Sequence, residues 1–320
     1  TGAAQLSEQP QSEMSFISKG PLTGRLAHPE FELRISEDGI YRVSYEDLEK
    51  ATGVGLLGVS ARSLALTNNG EAVPMRIVGG RIWKPGSYVE FLGKALDTLY
   101  TQENVYLLQV DRDLYSRMPS YVRLLGENPQ IAGHYMETAT FEKNREYSYL
   151  APNGDPWYDT LLFSKKPKSW TYTMDVDAYV SGAAQPTLNL ELWGVNDIEH
   201  HLTAEMNGAQ IADLKFANQA VELVESPVNN LKDGANSLKL TVLNDQGAEF
   251  DMSALEAYGL TYPRAFVARD GRLSFTSGDK AFKVSGLSGD NVMVYRDDNL
   301  GGPERLSNVK MEKSGDGYNV

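Results

Sequence analysis

The chain holds 320 residues, 41% of them hydrophobic and 23% charged, a globular composition long enough for two or three units that bury about three quarters of the extended-chain surface. Cysteine is absent, which excludes disulfides, thiolate metal sites and a cysteine nucleophile in this chain. The net charge of −13 disfavours nucleic acid and anionic membranes, and no apolar run reaches the roughly 18 residues needed to span a bilayer.

Residues 1–28 carry Gln, Ser, Gly and Pro without periodicity and read as an extended or weakly ordered segment. Phe31, Leu33 and Ile35 then alternate with polar residues, and Asp38-Gly39 before Ile40-Tyr41-Arg42-Val43 predicts a hairpin. Ser44 with Asp47 forms a capping-box pattern for a short helix over 45–51, closed by Gly53. Asn68-Asn69-Gly70 joins β-type runs at 63–67 and 73–78, and further strands are expected at 88–92 and 105–110. No helix of a dozen residues separates these runs, which argues against a parallel α/β sheet and for a sandwich or barrel.

The breaker cluster Ala151-Pro152-Asn153-Gly154-Asp155-Pro156 reads as a boundary. Beyond it, Leu188, Leu190 and Leu192 share one strand face, as do Leu202, Ala204 and Met206, and Leu238, Leu240 and Val242. Asn207-Gly208 and Asp233-Gly234-Ala235-Asn236 turn the chain between them, the pattern of half-buried antiparallel strands. Short strands at 273–275, 281–284 and 292–295 follow, in a piece too short for its own core that is expected to pack on a neighbour. The chain starts without Met and stops in the strand-like Gly317-Tyr318-Asn319-Val320, so a trimmed piece of a larger precursor is expected.

Motifs with chemical meaning are few. Gly53-Val54-Gly55-Leu56-Leu57-Gly58 has dinucleotide-binding spacing, but a helix precedes the glycines where a strand is required. His200-His201 are neighbours on a strand, so their rings point to opposite faces and do not share an ion; His28 and His134 have no acidic or imidazole company. Neither a Gly-x-Ser-x-Gly elbow nor a Ser-x-x-Lys pair is found around Ser15 and Lys19. Acidic pairs at Asp111/Asp113, Asp155/Asp159, Asp175/Asp177 and Asp297-Asp298-Asn299 read as solvated loops; structural calcium is the one cofactor they admit. Trp157-Tyr158, Trp170-Thr171-Tyr172 and Trp193 are either core or sugar-stacking rings.

Several segments in order carry a resemblance. Asp38-Gly39-Ile40-Tyr41-Arg42-Val43-Ser44, Leu64-Ala65-Leu66-Thr67-Asn68-Asn69-Gly70, Val89-Glu90-Phe91-Leu92-Gly93 and Leu96-Asp97-Thr98-Leu99-Tyr100 resemble the non-catalytic N-terminal region of gingipain-type cysteine peptidases, the type IX secretion sortase family in particular. Leu192-Trp193-Gly194, Met206-Asn207-Gly208, Leu231-Lys232-Asp233-Gly234 and Leu260-Thr261-Tyr262-Pro263-Arg264 are similar to the jelly roll that precedes the peptidase domain in those proteins. The family's Cys-His dyad lies in a following domain, so no catalytic residue carries over, and no cofactor-binding or metal-binding residue is assigned.

The expected architecture is all-β, with two or more antiparallel sandwich or jelly-roll-like units and few short helices. Its expected layout is a terminal segment at 1–28, a β domain at 29–150, a galactose-binding-like jelly roll at 151–263, and a strand-rich segment at 264–320 leading into a further domain. The resemblance implies a secreted or bacterial cell-surface, non-enzymatic accessory or pro-region that packs on, positions or inhibits the peptidase domain of its precursor. The other reading is a carbohydrate-binding or adhesive module whose partner is a surface glycan.

Overall fold

The computed structural model describes residues 2–7, 15–19, 30–165, 169–297 and 302–320, and for 2–7 and 15–19 the backbone alone. Strands dominate and every sheet is built mainly of antiparallel pairs, so the protein is all-β. The chain divides into two compact units, one made of residues 1–131 with 267–320 and the other of 132–266.

In the first unit a five-stranded sheet runs in the order Ser15–Lys19, Glu30–Ile35, Asn104–Val110, Leu64–Asn68, Glu71–Ala72. A three-stranded sheet, Gly39–Ser44, Tyr88–Gly93 and Met75–Val78, packs on it. Phe31, Leu33, Val43, Leu64, Leu66, Val89, Phe91 and Leu108 fill the space between, each with no exposed surface. Their alternate spacing in the sequence is what lets both sheets turn an apolar face inward.

The hairpin expected at Asp38-Gly39 does not form. Glu30–Ile35 pairs with Asn104–Val110, while Gly39–Ser44 pairs with Tyr88–Gly93 in the other sheet. Gly39 does not take the positive φ of a tight hairpin turn. The Asp38 carboxylate instead accepts from Ala95 N at 2.9 Å and Lys94 Nζ at 3.1 Å, which pins a crossover between layers. Asn69 (φ 49°) and Gly70 (φ 83°) do make the two-residue turn, although its return strand is only Glu71–Ala72 before the chain leaves for the second sheet.

A third sheet of this unit runs Ser120–Tyr121, Glu304–Leu306, Met293–Asp297, Gly2–Ser7, Arg272–Ser277. Parts of 1–28 are therefore strands, and the rest of that segment lies outside the described residues. Residues 281–284 are not a strand, though Val284 exchanges two backbone bonds with Val320. Ile40, Leu92, Met118, Met293 and Tyr295 form a small core under this sheet.

The second unit is a sandwich. One sheet is Tyr135–Glu142, Met252–Arg264, Thr187–Gly194, Val221–Pro227, with Thr160–Phe163 also on Met252–Arg264. The other is Ser169–Val176, Gly234–Val242, Glu199–Met206, Ala209–Ala217. Leu188, Leu190, Leu192, Leu202, Ala204, Met206, Leu238, Leu240 and Val242, the residues expected to share faces, are all buried in one core. Asn207 (φ 50°) and Gly208 (φ 83°) close a two-residue hairpin. The breaker run at 151–156 falls within this unit, in an excursion between Glu146–Tyr147 and Trp157–Tyr158.

Candidate functional site

Met252–Arg264, the longest strand, carries a fault at its middle. Leu192 faces Leu255 and Glu191 faces Ala257, so Glu256 is an extra residue with no opposite number. On the other edge Glu142 faces Ala257 and Thr160 faces Leu255, so one neighbour leaves and another arrives around Glu256. Bulges of this kind re-aim a side chain and gather beside binding sites. The excursion between those two neighbours, residues 143–159, covers the break.

Glu256 is 7% exposed, and the Asn153 amide donates to both of its oxygens, at 2.8 and 2.7 Å. Burial first, then the nearby Glu191, Asp155 and Glu142 charges, push its carboxyl up to about 7 against the Asn153 bonds. The excursion is held by a chain of turn bonds: Asn153 Oδ1 accepts from Asp155 N at 3.2 Å, and Asp155 Oδ1 from Trp157 N at 2.9 Å. Trp157 meets Tyr147 edge to face at 5.1 Å, and Tyr147 and Tyr149 project into solvent, 57% and 86% exposed.

A second group lies at the same break. Asp159 is buried; its Oδ1 accepts from Thr160 and sits 3.3 Å from the Arg145 guanidinium, while its Oδ2 makes no hydrogen bond. Tyr172 Oη lies near Thr160 without a bond of standard geometry, and burial pushes its hydroxyl up to about 12. Its ring and that of Tyr258 meet at 4.7 Å. Buried polar atoms left without partners are uncommon and mark this corner as unusual. What the corner offers is a carboxyl able to donate or accept near neutral pH, a rigid amide and exposed rings.

The residues singled out in the sequence fare differently. Gly53 caps the helix Tyr45–Thr52 with φ 74°, Gly55 accepts the Trp83 indole N–H at 2.8 Å and packs on the Tyr45 ring, and Gly58 has φ 84°. Every glycine of that run is thus spent on a turn or a close approach. His200 and His201 point to opposite faces as expected: His200 lies against Phe216 and bonds Asp251, and His201 bridges Asp245 and Asp213. Asp111 closes a turn onto Asp113 N, and Asp177 pairs with Arg264 at 2.9 Å. No group of three or more His, Asp or Glu side chains among the described residues is arranged to hold a metal ion. His28, Asp298 and Asn299 lie outside the described residues. Trp193 and Tyr158 are buried against each other, while Trp157, Trp170 and Tyr172 are half-buried. Glu256 and Asn153 carry no motif; the signal available was a glutamate breaking an otherwise apolar run, Ala254-Leu255-Glu256-Ala257-Tyr258.

No family model and no curated protein matches the sequence. Among solved structures, dimeric latent PorU from Porphyromonas gingivalis is similar over 92% of this chain, with a TM-score of 0.59 at 12% identity. The chain spans 30% of that PorU chain. The CBM36-1 domain of a multidomain xylanase from the hindgut metagenome of Trinervitermes trinervoides gives a TM-score of 0.28 at 14% identity, over 39% of this chain and 96% of that one. A family 35 carbohydrate-binding module from an environmental isolate gives 0.25 at 15%, over 48% and 96%. The likeness to PorU is one of fold; the other two scores are too low to establish even that.

Proposed function

We propose that this chain is the non-catalytic, β-rich part of a secreted or surface-bound peptidase of the gingipain type, and that it packs on and positions the peptidase domain. The observation that carries the reading is the shared fold with PorU across 92% of the chain, which leaves most of that longer protein unmatched. The absence of cysteine supports it, because the family's nucleophile must then lie elsewhere. The charge of −13 also suits a surface that covers the cleft of a peptidase preferring Arg or Lys. The test is to mix the purified chain with a gingipain-type Cys-His peptidase from the same organism. Co-elution in size-exclusion chromatography with light scattering is expected, with slowed peptide hydrolysis if the cleft is covered; separate elution removes the reading.

One observation favours a second reading, a carbohydrate-binding module: Tyr147, Tyr149 and Trp157 lie on the same excursion as Asn153, which bonds the Glu256 carboxyl. Rings flanked by hydrogen-bonding groups suit a sugar. Binding on a glycan array that Tyr147→Ala and Trp157→Ala abolish would establish it, and an array without binding would end it.

A further inference from the structure

In the first unit, Gly2–Ser7 lies between Arg272–Ser277 and Met293–Asp297 and runs antiparallel to both. Its register with the first neighbour is unbroken, from Gly2 opposite Ser277 to Ser7 opposite Arg272. With the second it runs from Ala3 opposite Asp297 to Ser7 opposite Met293. Arg272–Ser277 ends the sheet, and Gly2–Ser7 is the strand through which it joins it.

The two flanking strands do not pair with each other. Standing one strand apart, their axes are separated by about 10 Å, twice the strand spacing, and only an extended chain between them can satisfy both facing rows of N–H and C=O groups. Both walls have support of their own. Met293–Asp297 also pairs with Glu304–Leu306, and Tyr295 Oη donates to the buried Glu90 at 3.0 Å. On the other side Phe275 meets Phe282 edge to face at 5.0 Å, and Arg269 and Arg272 close a tight turn.

We propose that the slot between Arg272–Ser277 and Met293–Asp297 is a binding site for an extended peptide recognised through its backbone, and that the chain's own first residues are the ligand built into it. Strand addition of this type draws affinity from main-chain bonds and specificity from alternate side chains. The built-in sequence is Gly2-Ala3-Ala4-Gln5-Leu6-Ser7, and its backbone is paired on both sides.

The test uses a chain that starts at Glu8 and a fluorescent synthetic peptide of residues 1–7. Saturable binding by anisotropy is expected, weakened roughly a hundredfold by Gln5→Pro in the peptide, because proline removes a ladder N–H and adds a clash. Hydrogen exchange supplies a second readout. Residues 272–277 lose protection in the shortened chain and regain it with the peptide, while 187–194 and 252–264 in the other unit stay protected and report folding. Full-length chain carrying Gln5→Pro covers a shortened chain that fails to fold, since faster exchange at 272–277 with 104–110 still protected is expected there. Protection at 272–277 indifferent to both changes, or a folded shortened chain that takes up no peptide, overturns the proposal.

Discussion

Glu256 shows how a single residue sets the chemistry of a sheet. An extra residue in the ladder turns a carboxylate into a buried, acid-lined place, and the shift from its ordinary value to about 7 is the consequence. Because the folded value is raised, the stability linked to this group is fully present below about pH 4.5 and is lost as pH rises through 7. The loss amounts to at most about 3 kcal/mol at 1.36 kcal/mol per pH unit. Glu256→Gln is therefore expected to flatten the dependence of the melting temperature on pH, although the glutamine NH2 cannot accept the second Asn153 bond; calorimetry at pH 4, 6 and 8 checks this. Gly55 makes a second residue-scale case. A Cβ there would overlap the ring of Tyr45, the first residue of the helix that Gly53 ends. Gly55→Ala is expected to cost about 1–3 kcal/mol in urea denaturation, the range for overpacking, whereas loss of a nucleotide site would leave stability intact. The helix before the glycine run and its Gly53 cap were readable in the sequence. The Glu256 corner was not, because a bulge depends on the register of two distant strands and leaves no local pattern.

At the scale of elements, alternation foretold which faces are buried, and capping chemistry foretold the helix, since both are local. Strand partners are a different matter. The runs around Asp38-Gly39 were sound as strands and wrong as a hairpin, because the Asp38 carboxylate ties the turn to the 94–95 backbone and side chain instead of closing it. Long-range pairing is joined by a buried charge that the sequence did not advertise. Glu90 has no exposed surface and takes bonds from Arg42 at 2.8 Å, Arg76 at 2.6 Å and Tyr295 at 3.0 Å, linking three strands of the small sheet to Met293–Asp297. Burial opposes ionisation of Glu90, but the two guanidinium groups and the phenol outweigh it and hold its carboxyl below the usual range. Removing one member leaves the others uncompensated, so Glu90→Gln is expected to destabilise the first unit by about 3 kcal/mol. Tyr295→Phe, which keeps the charges paired, should cost about 1 kcal/mol, the usual worth of one hydrogen bond. Urea titrations of the two variants separate these values; equal losses would show that packing, not charge, holds the strand.

Across the whole molecule the two units carry titrating groups of opposite sense. In the first, the depressed Glu90 contributes stability that is present above about pH 4.5 and is lost as pH falls through its folded value. In the second, Glu256 acts the other way between about pH 4.5 and 7. His201 adds to it: burial pulls its pKa down, but its bonds to Asp245 and Asp213 prevail and raise it, so its contribution is present below the ordinary histidine value and is lost as pH rises through the folded one. Asp245, held below its usual range by Gln246 and His201, contributes stability at neutral pH that is lost only in stronger acid. From pH 5 to 8 the first unit should therefore hold steady while the second weakens, and below pH 4 the first should weaken. Hydrogen exchange read separately on 88–93 and on 187–194 from pH 3 to 8, corrected for intrinsic rates, would show protection falling at 187–194 and not at 88–93 as pH rises from 5 to 8, and at 88–93 below pH 4. Parallel profiles would mean that these buried groups do not govern the stability of their own units, and that the net charge of −13 acts on both alike.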